Sequence, residues 1–154
     1  PTAEFNIRQD PEAAEIVFSA DIPTLLYTWD VFVKVLFYKD EIHKMVGSNN
    51  VCERFAGKLL TSYLESKGEE YACVGDAGAV ACLLVPDAII SETLPISVEL
   101  LGEYTRGQTV IDQRKNRLSR LQPSIQKPIS NTADIVKQIN VDQFRLTFMD
   151  NIIK

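Results

Sequence analysis

The chain contains a single histidine, His43, and three cysteines, Cys52, Cys73 and Cys82. An odd cysteine count without metal-type spacing argues against a disulfide framework and against a zinc site. Cys52 and Cys82 fall in apolar helical patterns, where cysteine acts as a small hydrophobe, and a reducing, cytoplasmic compartment is the expectation. His43 lies in a short charged segment, remote in sequence from any carboxylate cluster. It reads as a surface residue, and no Ser-His-Asp or Cys-His set can be built around it. Long apolar runs are also missing, so neither a signal peptide nor a membrane-spanning helix is expected. Gly75, Gly78, Gly102 and Gly107 do not have the spacing of a phosphate-cradling loop. Positive charge is short: 16 Lys and Arg against 21 Asp and Glu give a net charge of −5 and a pI near 4.9. That balance argues against nucleic acid or an anionic membrane as partner. The basic cluster of Arg114, Lys115, Arg117 and Arg120 has no interleaved aromatics and reads as a solvated loop.

What is present is a globular composition. With 154 residues, 45% of them hydrophobic, the chain is long enough to bury a real core as one α/β unit over residues 1–154. It begins at Pro1, which implies either a removed initiator or the downstream part of something longer. Residues 2–7 look like the tail of a strand. Asp10-Pro11-Glu12 is a helix start, with a cap, a proline at the first helical position and an acid in the first turn. The apolar run from Thr24 to Trp29 predicts a buried strand, and the three together predict a right-handed βαβ unit. Val31 to Phe37 is apolar and fits no single period. A short helix is expected from Lys39 to Gly47. A longer one follows, capped by Ser48-Asn49-Asn50 and closed by Gly68, with an apolar stripe at Cys52, Phe55-Ala56, Leu59-Leu60 and Tyr63-Leu64. Leu94–Leu101 and Gln108–Ile111, joined by a loop with Gly102 and Gly107 at its ends, predict an antiparallel edge hairpin. Residues 112–130 look like a surface excursion. A last helix from about Asn140 sets Val141, Phe144, Phe148 and Ile152 on one face.

Two polar features stand out. Gly75-Asp76 opens a run of small and apolar residues that ends at Pro86, so Asp76 lies at the mouth of a buried helix. The pattern favours an N-cap, and it equally suits a carboxylate aimed into a pocket. Glu4 and Asn6, two apart on an extended segment, would point the same way and offer groups suited to the vicinal hydroxyls of a sugar. Phe5 would face the other side. The plainer alternative is a strand end with its polar residues in water.

Taken together, Ala3-Glu-Phe-Asn-Ile7, Asp10-Pro-Glu-Ala-Ala-Glu-Ile-Val-Phe18 and Gly102-Glu-Tyr-Thr-Arg-Gly-Gln-Thr-Val-Ile-Asp112 resemble the nucleoside hydrolases. The helix holding Val141-Asp-Gln-Phe144 resembles that family's last one. The resemblance runs in order over essentially the whole chain. It implies part of an open, mostly parallel Rossmann-like sheet with flanking helices, and hydrolysis of the N-glycosidic bond of ribonucleosides. It further implies a calcium ion that binds the ribose hydroxyls and activates water. On that likeness Glu4 and Asn6 match the residues that hold the ribose, Phe5 the position between them, and Asp76 a metal-binding aspartate. Tyr63 lies where some members line the pocket.

Two departures limit the likeness. The family's aspartate-rich motif, which supplies most metal ligands and the general base, has no counterpart, because the chain corresponds to the C-terminal half only. The residue before the metal-binding aspartate is often a histidine that protonates the departing base; here it is Gly75, so no catalytic side chain is assigned. The isolated chain is therefore expected to be inactive, with a ribonucleoside as ligand and calcium as cofactor only if the missing motif is supplied. A non-catalytic binding module is the alternative. A half sheet would leave a strand edge and an apolar face uncovered, which predicts a homo-oligomer.

Overall fold

A computed structural model describes residues 2–114 and 129–153. Lys115, Arg117, Arg120 and most of the 112–130 excursion lie outside the described residues. The chain divides into two compact units, residues 1–26 with 92–135 and residues 27–91 with 136–154.

The first unit opens with two helices in tandem, α1 (Phe5–Gln9) and α2 (Pro11–Ser19). Residues 2–7 are therefore not a strand, and the βαβ unit built on them does not form. The Glu4 carboxylate caps α1, a job usually given to shorter side chains, so the signal was easy to miss. Asp10 then serves both helices. It ends α1 at φ −147° and ψ 79°, outside the helical region that a following proline disfavours, and its side chain accepts from the Ala13 amide to start α2. The sheet has the order β1-β6-β4-β5, with β1 at Leu25–Leu26, β4 at Ile89–Val98, β5 at Thr109–Ile111 and β6 at Thr132–Ile139. β1 and β6 run parallel, Leu25 opposite Asp134. β4 and β5 form the expected antiparallel hairpin, Ser97 opposite Val110. Sequence reasoning placed no strand at β6, although Ala133 and Ile135 alternate with Thr132 and Asp134 in the half-buried pattern. Phe18, Leu94, Ile96, Val98, Ala133 and Ile135 make this unit's core.

The second unit is mostly helical. The buried strand expected from Thr24 to Trp29 shortens to β1, because Trp29–Phe32 turns into the short helix α3 behind Thr28. β2 (Leu36–Tyr38) pairs antiparallel with β3 (Tyr71–Cys73). α4 (Lys39–Val46) and α5 (Val51–Lys67) lie where the sequence puts them, α5 capped by the Asn50 side chain and closed by Gly68 at φ 69°. α6 (Gly75–Leu84) and α7 (Val141–Ile153) complete the unit.

Two burial expectations are corrected here. α5 turns Gly57 and Leu64 inward, since only a glycine lets the α4 backbone come so close; a Cβ at Gly57 would lie 2.7 Å from the Val46 amide nitrogen. Cys52, Phe55, Leu59 and Tyr63 of the expected stripe are left exposed. α6 is one-sided: Gly78, Ala81 and Cys82 are buried while Val80, Leu83 and Leu84 face out. On α7, Phe144 is buried and Phe148 packs against the same core, as the spacing requires; Ile152 lies outside the described side chains. His43 is exposed, as expected.

Candidate functional site

Glu4 and Asn6 are brought together, by a different geometry from the extended one expected. Glu4 stays extended at φ −61° and ψ 150° while the chain behind it coils into α1. Its Oε2 accepts from the Asn6 amide at 2.8 Å and the Ile7 amide at 3.1 Å. The Asn6 side-chain nitrogen reaches Glu4 Oε1 at 3.4 Å. Glu4 is half-buried and Asn6 exposed, so the pair forms a fixed carboxylate beside a carboxamide open to solvent. One acceptor-only group and one donor–acceptor group side by side can bind two neighbouring hydroxyls. Phe5, between them, is 60% exposed and fills no core position.

Gly75 and Asp76 belong to the second unit. The helix starts two residues earlier than a cap at Asp76 would require, with Gly75 as its first member and Val74 as the boundary residue. Asp76 is thus in the first turn and makes no capping hydrogen bond, which corrects the N-cap expectation. Val74, at φ −112° and ψ 88°, is the last residue outside the helix, so Gly75 and Asp76 already belong to the first turn. The carboxylate is exposed and favourably placed against the helix dipole. Gly75 presents no proton donor beyond its backbone.

A calcium ion takes about six to eight oxygen ligands. Among the described residues no three His, Cys, Asp or Glu side chains converge as a metal site, and Asp76 alone does not make one. The described residues do not fit a calcium ion by themselves.

A cavity of about 380 Å³ opens in the second unit, walled by Phe37, Met45, Leu146 and Met149. Within it Arg145 donates to the Glu41 carboxylate and to the Leu36 carbonyl, and its guanidinium lies 4.8 Å from the Phe37 ring centre. These polar groups are spent on one another, and none of the candidate residues lines the cavity.

Sequence reasoning gave no role to Tyr27. Its hydroxyl is buried with no hydrogen-bond partner among the described residues, and burial, with a smaller effect of Cys82 and Cys73, pushes its pKa up to about 12. Burial raises the Cys82 and Cys73 thiols as well. A tyrosine inside an apolar strand pattern carries no sequence signal that its hydroxyl will be stranded.

The profile of the family described as inosine-uridine preferring nucleoside hydrolase matches residues 1–145. The chain is 38% identical over 117 residues to the pyrimidine-specific ribonucleoside hydrolase RihA of Escherichia coli (strain K12), a match covering 73% of this chain and 38% of that protein. RihA of Salmonella agona (strain SL483) is 37% identical over the same shares. Among solved structures, an inosine-guanosine nucleoside hydrolase superposes with a TM-score of 0.80 at 28% identity, over 98% of this chain and 46% of that one. A plant nucleoside hydrolase superposes at 0.81 with 15% identity, over 99% and 48%, a likeness of fold. The chain thus spans 38% of the length of these curated relatives and just under half of these solved chains. The open α/β sheet with flanking helices expected from the sequence is the fold of these neighbours.

Proposed function

The chain belongs to the inosine-uridine preferring nucleoside hydrolase family, and from that premise we propose that it supplies the ribose-holding part of an enzyme that hydrolyses the N-glycosidic bond of ribonucleosides. The observation that carries this reading is the Glu4–Asn6 pair. Glu4 is immobilised by two backbone amides and keeps acceptor capacity on Oε1, while Asn6 adds a carboxamide at the exposed edge. Together they would bind and orient the sugar, leaving its anomeric carbon to water. Phe5 would close the side of the sugar between them. Asp76 would contribute one oxygen donor to a metal site whose other ligands come from outside these residues; calcium enters the reading only on that condition. Gly75 cannot protonate a departing base, so that proton must come from elsewhere or not at all.

The purified 154-residue chain, assayed with inosine and uridine with and without added calcium, should release no base. Calcium-dependent release would overturn the half-site reading. Joined to the aspartate-bearing half of a relative, the chain should gain activity. Asp76→Ala should then abolish it chiefly through metal loss, and unchanged turnover in that variant would reject the assignment.

A second reading, a non-catalytic binding module, is favoured by Gly75 and by the lack of converging metal ligands among the described residues. It forecasts binding without turnover even in the joined protein. The exposed ladder of Val51, Phe55, Leu59 and Tyr63 along α5 supports self-association, which light scattering would test. A reducing, cytoplasmic setting fits three free thiols; no helix of the described residues is long and apolar enough to cross a membrane.

A further inference from the structure

The segment Gly102–Asp112 carries much of the family likeness and has no part in the reading above. Its geometry gives it one. Just past β4, Glu99 Oε1 accepts from the Leu101 amide at 2.8 Å and the Gly102 amide at 3.1 Å, bonds that hold its carboxyl below the usual range. The Gly107 amide returns to the Glu99 carbonyl at 2.7 Å, and the Arg106 amide to the Gly102 carbonyl at 2.9 Å. The loop is therefore closed on itself.

That closed loop lies against α1. Gly107 is buried at φ 84°, a conformation that disfavours any side chain. A Cβ there would also lie 3.1 Å from Arg8 Cα and 3.2 Å from Ala3 Cβ. Ala3 and Arg8 bracket Glu4–Asn6 in the chain, so the loop touches the segment on both sides of the pair. One residue earlier, Arg106 Nη2 meets both oxygens of Glu12 on α2 at 2.8 and 2.9 Å, and its Nη1 donates to the Leu100 carbonyl at 2.6 Å. The guanidinium thus ties the loop to the helix that follows α1, with Nη2 on the Glu12 carboxylate while Nη1 holds the Leu100 carbonyl, two separate donors of one planar group.

We propose that the Gly102–Gly107 loop is a buttress that sets the position of Glu4 and Asn6 for a ribose, with Gly107 and Arg106 as its positioning residues. This rests on the reading of Glu4 and Asn6 as sugar-holding groups. Neither positioning residue touches the sugar. Gly107 sets how closely α1 approaches the loop, and Arg106 fixes the loop against α2. The Arg106–Glu12 pair is exposed and adds little to global stability, so its loss reads out locally.

The test is amide hydrogen exchange by NMR on the full chain, in the parent protein, Gly107→Ala, Arg106→Ala and the charge swap Glu12→Arg with Arg106→Glu. The amides of Asn6, Ile7 and Arg8, all bonded to Glu4, are the reporters. In both single variants their exchange should accelerate on the order of tenfold, while protected amides of α5 keep their parent rates. The swap should restore the slow exchange. In parallel, inosine titrated into each protein should shift the Asn6 side-chain amide, with an apparent Kd that rises in the single variants and recovers in the swap. Unchanged reporters in Arg106→Ala, or a swap that restores nothing, overturns the buttress; Arg106→Ala decides the matter if Gly107→Ala does not fold. Accelerated exchange in the single variants that the swap restores, with an Asn6 side chain indifferent to inosine, supports the buttress and overturns the sugar-holding reading instead.

Discussion

The ring of Tyr27 lies directly on the backbone of Gly78: a Cβ placed on that glycine would come within 2.5 Å of the ring. The same ring stacks on Phe144, with centroids 6.0 Å apart, and its hydroxyl has no hydrogen-bond partner among the described residues. One contact thus fixes how closely α6 can approach the unit's aromatic cluster, and it strands a polar group in doing so.

Gly78→Ala should therefore be destabilising by roughly 1–3 kcal/mol, the usual cost of overpacking a closed core, despite the gain in helix propensity. Urea unfolding monitored by circular dichroism measures this. A stability equal to or above the parent's would mean that the ring has room to move.

Tyr27→Phe should raise stability near neutral pH by about 1 kcal/mol, because it removes a buried hydroxyl that forms no bond. The variant also has a distinct alkaline signature. The Tyr27 pKa is raised to about 12 from the ordinary 10.0, so the unfolded chain gives up this proton first. Its contribution is present below pH 10 and is lost as pH rises through about 12. The raised Cys73 and Cys82 thiols act in the same direction in both proteins, starting from the ordinary thiol value of 9.0. The stability of Tyr27→Phe should accordingly fall less steeply above pH 10 than that of the parent. Parallel curves would show that the phenol titrates normally.

Asp76→Asn tests whether the aspartate is structural. It caps nothing and is exposed, so only its interaction with the helix dipole is lost, about 0.3–1 kcal/mol. A drop of 2 kcal/mol or more, roughly the upper end for losing a true cap, would return Asp76 to a capping role.

Asn50→Ala and Glu4→Ala both delete caps that the structure does contain. Asn50 accepts from the amides of Cys52 and Glu53 at the start of the long helix α5, and its loss should cost about 1 kcal/mol of global stability. Glu4 holds only the five residues of α1, so its loss should melt that helix locally and barely move the global midpoint. Exchange rates at Asn6 and Ile7 separate the two behaviours, and a global loss in Glu4→Ala would show that α1 is integral to its unit's core.

Glu12 adds an acid-side counterpart. The Arg106 guanidinium lowers its pKa, so the pair's contribution is present above the ordinary value of 4.5 and is lost as pH falls through the lowered folded value. Protection of the α1 amides, relative to their intrinsic exchange at each pH, should fall in that acid range, and should already be low in Arg106→Ala at neutral pH.

Much of the architecture was legible because its signals are local. Asp10-Pro11, Asn50 and Gly68 mark helix ends through bonds and backbone preferences that span a few residues, and all three hold. The hairpin of β4 and β5 follows from alternation and a glycine-bounded loop, and the family likeness from ordered motifs. Failures came where a local pattern admits two outcomes. A glutamate cap made a helix of a segment that reads as a strand, and α6 begins at Gly75, ahead of Asp76.

By itself the sequence determined the chain's family, the places of helices α2, α4, α5 and α6, and which side chains are candidates to hold a sugar. Only the tertiary structure decided which faces those elements bury. Gly57 rather than the apolar stripe points inward on α5, since any side chain at that contact would hold the α4 backbone off. Tertiary structure likewise brought Gly107 beneath α1 and Arg106 against Glu12. Those contacts join residues about a hundred positions apart, where no short-range pattern in the sequence records that they meet.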